Sequence, residues 1–267
     1  MSKRIFPLPQ RWYRGYGWSA LTRNFLFPGT RHIAVAAGKE SGSRQVMRIA
    51  HRGASGYAPE NTWAAFHKAL ELDVDMIELD VRRTRDHELV VCHDARLDRL
   101  TGNPVTLREL SFIELQQHQV GGQTIPRLAD VLPALTDACE INVELKERGL
   151  AEAAAAVVKA LNCHHRVLFS SFLSAELLRL KAIDPALRVA ALLTAAPATV
   201  GTCLRFAQLV QAEAIVVSHS AFRKRLLTAA HRAGIKVFVW TVDDAEAIAH
   251  LKGLGVDGIM SNFPDLI

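Results

Sequence analysis

The chain has 267 residues, 49% of them hydrophobic and 22% charged, an ordinary globular composition with room for one large α/β domain or two small ones. No apolar run approaches the ~20 residues of a membrane span, and Ile33–Gly38 is too short and too late for a secretory leader, so a cytoplasmic protein is expected. The net charge of +5 is unevenly held: residues 1–45 carry eight basic residues against the single acid Glu40, while the remainder has 24 basic and 26 acidic residues, which argues against nucleic-acid binding by the body.

Residues 1–45 lack sustained periodicity and mix Pro, Gly, Ser and Arg with Trp12, Tyr13, Tyr16, Trp18, Phe25 and Phe27. Such a basic, aromatic extension suits weak contact with a membrane surface, a loose extension, or a helix packed on the body. Met47 directly precedes the first strand and is an alternative start of translation.

From Met47 onward, short apolar runs alternate with helical patterns. Strands are expected at Met47–His51, Met76–Asp80, Ile141–Lys146, Val167–Phe172, Val189–Leu193, Ile215–Ser218, Val237–Thr241 and Gly258–Asn262. Most are rich in Val, Ile and Leu, as parallel strands buried on both faces should be. Helical patterns lie near 60–72, 127–138, 150–162, 174–183, 198–210, 220–233 and 243–253. Eight strands alternating with helices over residues 46–267 predict an α/β fold, a (β/α)8 TIM barrel.

One segment breaks the alternation. Glu88–His93 follows Arg82–Asp86 too closely for a crossover helix, and a parallel return needs roughly a dozen residues. Residues 81–93 are therefore expected to leave the barrel as a hairpin-like excursion. It continues through Thr101-Gly102-Asn103-Pro104 and Gly121-Gly122 to about Pro126, an insertion after strand 2 (81–126) at the barrel mouth, where active sites of this fold lie.

The candidate chemistry sits at strand ends. Glu78-Leu79-Asp80 places two carboxylates on one face of a strand, and Glu144-Leu145-Lys146 repeats the spacing with one carboxylate and one ammonium. Such acids either pair with barrel lysines and arginines or hold one divalent cation, and an oxygen-only set suits Mg2+ or Ca2+ better than Zn2+. His51 ends the first strand beside Arg52 and Gly53, and His93 ends the excursion. Two imidazoles at one mouth can divide the base and acid roles of a displacement at phosphorus. His219 is a third histidine at a strand end.

Taken together, His51-Arg52-Gly53 with Pro59-Glu60-Asn61-Thr62, Glu78-Leu79-Asp80, Val91-Cys92-His93-Asp94, Val143-Glu144-Leu145-Lys146 and Trp240-Thr241-Val242-Asp243-Asp244 resemble the glycerophosphodiester phosphodiesterases. The resemblance spans residues 47–267 in the family's motif order, and Ser261-Asn262 stands where Thr-Asp is frequent. It implies a divalent cation, Mg2+ or Ca2+, on Glu78, Asp80 and Glu144, and His51 and His93 as the acid–base pair. It also implies Arg52 and Lys146 on the phosphoryl oxygens, Glu60 supporting the site from behind, and Trp240 against the alcohol portion of the substrate. The expected reaction is hydrolysis of a glycerophosphodiester to sn-glycerol 3-phosphate and an alcohol, with His51 as base and His93 as acid. The rival readings are phospholipase D-like cleavage of lysophospholipids through a cyclic phosphate, and a non-catalytic phosphodiester-binding protein.

Other motifs carry less. Gly253-Leu-Gly-Val-Asp-Gly258 satisfies G-x-G-x-x-G but follows a helix and opens a strand, the reverse of a dinucleotide site. Ser170-Ser171 and Ser218-His219-Ser220 lack the context of a serine nucleophile. The four cysteines include no C-x-x-C pair and read as reduced thiols, and Cys163-His164-His165 reads as a connecting loop.

Overall fold

A computed structural model describes residues 45–193 and 199–267. The expectations for the N-terminal extension and for the start of the 198–210 helix therefore lie outside the described residues. In chain order the elements are β1 (Met47–Ala50), α1 (Trp63–Glu71), β2 (Met76–Arg83), β3 (Leu89–Val91), α2 (Asp98–Thr101), α3 (Phe112–Leu115), β4 (Gln119–Val120), β5 (Gln123–Thr124), α4 (Leu128–Leu135), β6 (Glu140–Leu145), α5 (Ala151–Ala160), β7 (Val167–Ser171), α6 (Ser174–Ile183), β8 (Arg188–Leu193), α7 (Val200–Leu209), β9 (Ala214–Ser218), α8 (Lys224–Arg232), β10 (Lys236–Trp240), α9 (Ala245–Leu254) and β11 (Gly258–Ser261).

The parallel ladder runs β1-β2-β6-β7-β8-β9-β10-β11 and closes where β11 pairs with β1, giving the expected eight-stranded barrel. Closure removes the sheet edges and buries each strand on both faces, which is why the strands read as apolar runs. Side chains such as Ile77, Leu79, Val143 and Val239 pack outward in the core shared with the helices. Inward-facing Ile49, Met76, Leu168, Ala214, Phe238 and Met260 fill the barrel floor. Period-two alternation carries that inner face upward from apolar to polar: Met76 is followed by Glu78 and Asp80, and Leu168 by Ser170.

β2 extends three residues past its expected end. Val81–Arg83 pair antiparallel with Leu89–Val91 of β3, so the excursion is a hairpin hung on a barrel strand. Behind it, Val90, Cys92, Leu97, Leu107, Leu115, Val120 and Ile125 form a separate small core. The insertion is thus a packed unit and not a loose loop. The β4–β5 turn uses Gly121 and Gly122 at φ +55° and +80°, and a Cβ on Gly121 would lie 2.3 Å from Pro59 Cγ. The hairpin tip therefore rests directly on the β1–α1 loop.

Gly255, at φ +81°, ends α9 as its left-handed cap, which accounts for the middle glycine of the pattern there. Among the described residues no helix is long and apolar enough to cross a membrane.

Candidate active site

The β1–α1 loop opens on two consecutive residues in the left-handed region, Arg52 at φ +59° and Gly53 at φ +77°. Glycine is required at the second position, because a Cβ there would lie 2.7 Å from the Ala65 carbonyl carbon. The turn aims the Arg52 backbone N–H at Glu78 Oε2, 2.8 Å away. The Arg52 side chain donates from Nη1 to Glu60 Oε1 at 2.8 Å, and its Nε lies 3.2 Å from Asp80 Oδ2 as an ion pair. A non-glycine residue held at positive φ costs energy that the surroundings must repay, and these three acids supply the restraint.

Glu78, Asp80 and Glu144 converge. The register sets Asp80 beside Glu144 and Glu78 beside Asn142, and one oxygen from each acid lies within 4.8 Å of the others. All three are buried. Lys146 Nζ donates to Glu144 Oε1 at 2.7 Å and lies 3.3 Å from Asp80 Oδ1. Asn61 donates from Nδ2 to Asp80 Oδ2 at 2.8 Å. Burial, then the charges of Asp80 and Glu144, holds the Glu78 carboxyl well above the usual carboxylate range. Burial and Asp80 push Glu144 up to about 7. Burial also lifts Asp80, but Lys146, Arg52 and His93 outweigh it and leave Asp80 below its ordinary value. The cluster sets two cationic side chains against three buried acids, and the negative charge they cannot balance is held down by the raised proton affinity of Glu78 and Glu144. Its all-oxygen donor set fits a hard divalent cation.

The two histidines flank this cluster with similar geometry and different partners. Asp243 Oδ2 accepts from Asn262 Nδ2 at 2.6 Å, which turns the Asn262 amide oxygen toward His51 Nδ1 at 2.8 Å. His51 therefore donates from Nδ1 and leaves Nε2 as a free acceptor. His93 Nδ1 donates to Asp94 Oδ1 at 2.7 Å, and its carbonyl accepts from Arg82 Nε at 2.7 Å. Burial and then Arg52 lower His51 below the ordinary imidazole value, against the Asn262 bond. Burial also lowers His93, against the charge of Asp80 and the bond to Asp94.

Both imidazoles open on one cleft with about 410 Å³ of empty space. Arg52, Glu78, Glu144 and Lys146 line one side, and Phe172, Leu192, Val216, Trp240 and Met260 line the other. Trp240 meets the edge of Phe172 at 5.9 Å between ring centroids, and its buried Nε1 has no hydrogen-bond partner among the described residues. The cleft thus has one anion-handling wall and one apolar wall.

The model of the glycerophosphoryl diester phosphodiesterase family matches residues 51–266. The chain belongs to that family. A glycerophosphodiester phosphodiesterase of Caldanaerobacter subterraneus is 32% identical over 239 residues, covering 84% of this chain and 96% of the relative. The crystal structure of a glycerophosphodiester phosphodiesterase from Agrobacterium tumefaciens superposes with TM-score 0.73 at 29% identity, covering 83% of this chain and 98% of that one. An Oleispira antarctica phosphodiesterase solved with its product sn-glycerol-3-phosphate superposes with TM-score 0.73 at 28% identity, covering 81% and 93%.

Of the positions that the family resemblance selects, His51, Arg52, Glu78, His93, Glu144, Lys146 and Trp240 line the cleft. Asp80 joins it through the carboxylate cluster, and Glu60 stands behind Arg52. His219 is exposed and does not line the cleft. Residues without an assigned role in the sequence reading also belong here. Asn142 sits two positions before Glu144 on β6, and Phe172 two positions after Ser170, just past the end of β7, so strand alternation carried one residue beyond β7 would have found both. Asn262 and Asp243 had no such signal, because their contact joins the ends of two different strands.

Proposed function

We propose that this chain catalyses metal-dependent hydrolysis of glycerophosphodiesters to sn-glycerol 3-phosphate and an alcohol. The observation that carries the reading is the pair of imidazoles on one cleft, flanking three converging carboxylates, an arginine and a lysine.

Glu78, Asp80 and Glu144 would hold the cation, Mg2+ or Ca2+. When bound, it supplies positive charge that stabilises the phosphoryl group as negative charge builds in the transition state. Arg52 and Lys146 bind the non-bridging phosphoryl oxygens through N–H groups left over from their carboxylate contacts. Glu60 fixes the Arg52 guanidinium. Phe172 and Trp240 hold the carbon skeleton of the alcohol portion and keep water from that wall.

His51 Nε2 takes a proton from the attacking water as the water oxygen bonds to phosphorus. The bond from phosphorus to the departing alcohol oxygen breaks on the opposite side, and His93 delivers a proton to that oxygen. The assignment rests on the partners. His51 leans on a neutral amide, which orients the ring without stabilising imidazolium. His93 leans on a carboxylate, which stabilises the charged ring that an acid must pass through. All four cysteines are buried and unpaired, in keeping with a reducing, cytoplasmic setting.

The test is hydrolysis of glycerophosphocholine followed by 31P NMR, with chelator and then with Mg2+ or Ca2+ restored. The expected product is sn-glycerol 3-phosphate, lost with chelator and regained with metal. Turnover confined to lysophosphatidylcholine, with a cyclic phosphate product, would favour the phospholipase D-like reading instead. Binding of glycerophosphocholine without turnover in either metal would indicate a non-catalytic protein.

A further inference from the structure

Arg99 lies in the insertion, on α2, and is half exposed. Its Nε donates to Asp94 Oδ2 at 2.6 Å. Its Nη1 and Nη2 donate to the two oxygens of Glu60 at 3.0 and 2.7 Å. Each of these acids is also engaged from the cleft: Asp94 by His93 Nδ1 at 2.7 Å, Glu60 by Arg52 Nη1 at 2.8 Å. One unbroken chain therefore runs Arg52–Glu60–Arg99–Asp94–His93, joining the β1–α1 loop to the end of the excursion.

Exposed ion pairs usually contribute little to stability. The distinctive feature of this one is its geometry. A planar guanidinium grips one carboxylate with two parallel bonds while its third edge holds a second carboxylate, and no lysine can do both. The platform beneath it is firm: neighbouring Leu97 is fully buried in the insertion's own core, and the hairpin tip at Gly121 packs on Pro59, the residue before Glu60. The insertion therefore meets the loop carrying Arg52 at two independent points.

We infer that Arg99 is a positioning residue that locks the His93 imidazole and the Arg52 guanidinium into one mutual geometry, and that the insertion is the frame that holds it there. The inference rests on the functional reading of His93 and Arg52 given above. In the family reaction the leaving oxygen and the phosphoryl oxygens sit on the same phosphorus, so the groups serving them must be fixed relative to each other. Loosening a reacting geometry by about 1 Å can cost on the order of 10²-fold in rate.

The test compares wild type, Arg99→Ala, Arg99→Lys and, as a control on the same insertion, Arg96→Ala, whose exposed side chain pairs with Asp98. With glycerophosphocholine and saturating metal, Arg99→Ala is expected to lose on the order of 10²-fold in kcat with KM nearly unchanged, and Arg96→Ala to match wild type. Arg99→Lys recovers only part of the loss, and millimolar guanidinium restores Arg99→Ala more than it affects wild type. In parallel, NMR reads the downfield His93 Nδ1 proton, expected in wild type and Arg96→Ala and broadened or lost in Arg99→Ala. Wild-type kcat in Arg99→Ala, or a loss accompanied by a collapse of Tm and no guanidinium response, would overturn the inference. The Nδ1 proton reads the clamp without turnover, so an inactive wild type with the expected NMR pattern would strike the functional reading alone. An unchanged Nδ1 proton in an otherwise active series would strike the clamp alone.

Discussion

Replacing Glu78 by glutamine should make the metal-free protein more stable while abolishing its activity. The amide keeps an acceptor oxygen for the Arg52 backbone N–H, which now lies 2.8 Å from Glu78 Oε2, so the loop contact survives and only the charge is lost. Glu78 faces Asp80 and Glu144 within 4.8 Å. At an effective dielectric near 20, each such repulsion is worth about 3 kcal/mol. The substitution also forfeits attraction to Arg52 and Lys146, which offsets most of this, but it removes the cost of burying an ionised group, the largest influence on Glu78, so a net gain of about 2 kcal/mol is expected where Glu78 would be ionised. For a barrel of this size that corresponds to a rise of about 4–8 °C in Tm. The pH dependence has a definite sign. Burial and its acidic neighbours hold Glu78 well above the ordinary value of 4.5, so the folded state binds this proton more tightly than the unfolded state. The wild type therefore loses stability as pH rises from the unfolded value toward the folded one, and the advantage of Glu78→Gln grows over the same range. Thermal unfolding in chelator at about pH 5 and about pH 8 reads this directly. Added Mg2+ or Ca2+ should then raise the Tm of wild type and leave the variant unmoved. A metal-free variant less stable than wild type at the higher pH, or an advantage that shrinks as pH rises, would refute the reasoning.

Gly53→Ala places a side chain at φ +77° with its Cβ 2.7 Å from the Ala65 carbonyl carbon. The left-handed backbone costs about 1–2 kcal/mol and the overlap a further ~1–3 kcal/mol, so urea unfolding should show a loss of about 2–5 kcal/mol, with reduced turnover because Arg52 hangs on that turn. On the opposite end of the barrel, Arg188 bonds Glu213 at 2.7 and 3.0 Å. Burial pushes Glu213 up, but those bonds outweigh it and hold the carboxyl below its ordinary 4.5. This contribution is complete above the ordinary value and is lost as pH falls through the folded one. Arg188→Ala should therefore cost about 1–2 kcal/mol near neutral pH, allowing for partial exposure, and the Tm difference from wild type should narrow in acid. A difference that widens in acid would contradict the assignment.

The barrel was legible because its strands are buried on both faces. Apolar runs such as Val167-Leu168-Phe169 and Ile215-Val216-Val217 carry that signal without context. The excursion was legible for the complementary reason, since Glu88–His93 follows β2 too closely for a crossover. Where β2 ends was not legible, because Val81–Arg83 stay extended only by pairing with Leu89–Val91, a contact between two segments. The site divides the same way. Carboxylates two residues apart on one strand announce a shared face, so Glu78 with Asp80 could be grouped from spacing. Asp243, Asn262 and His51 lie at three different strand ends and meet only because β10, β11 and β1 are neighbours in the closed barrel. Arg99 likewise sits within a surface run of mixed charge, and nothing local marks it as the bridge between Glu60 and Asp94.

The proposed chemistry turns on the division of labour between the two imidazoles. A leaving group that departs unaided needs no acid, so the decisive measurement compares His51→Ala and His93→Ala on glycerophosphocholine and on the p-nitrophenyl ester of sn-glycerol 3-phosphate. Each variant should lose about 10²–10⁴-fold on the choline ester while its thermal unfolding stays close to wild type. On the nitrophenyl ester His93→Ala should regain most of its rate and His51→Ala should not. Equal losses for both variants on both substrates, or recovery by His51→Ala alone, would contradict the assignment of base and acid.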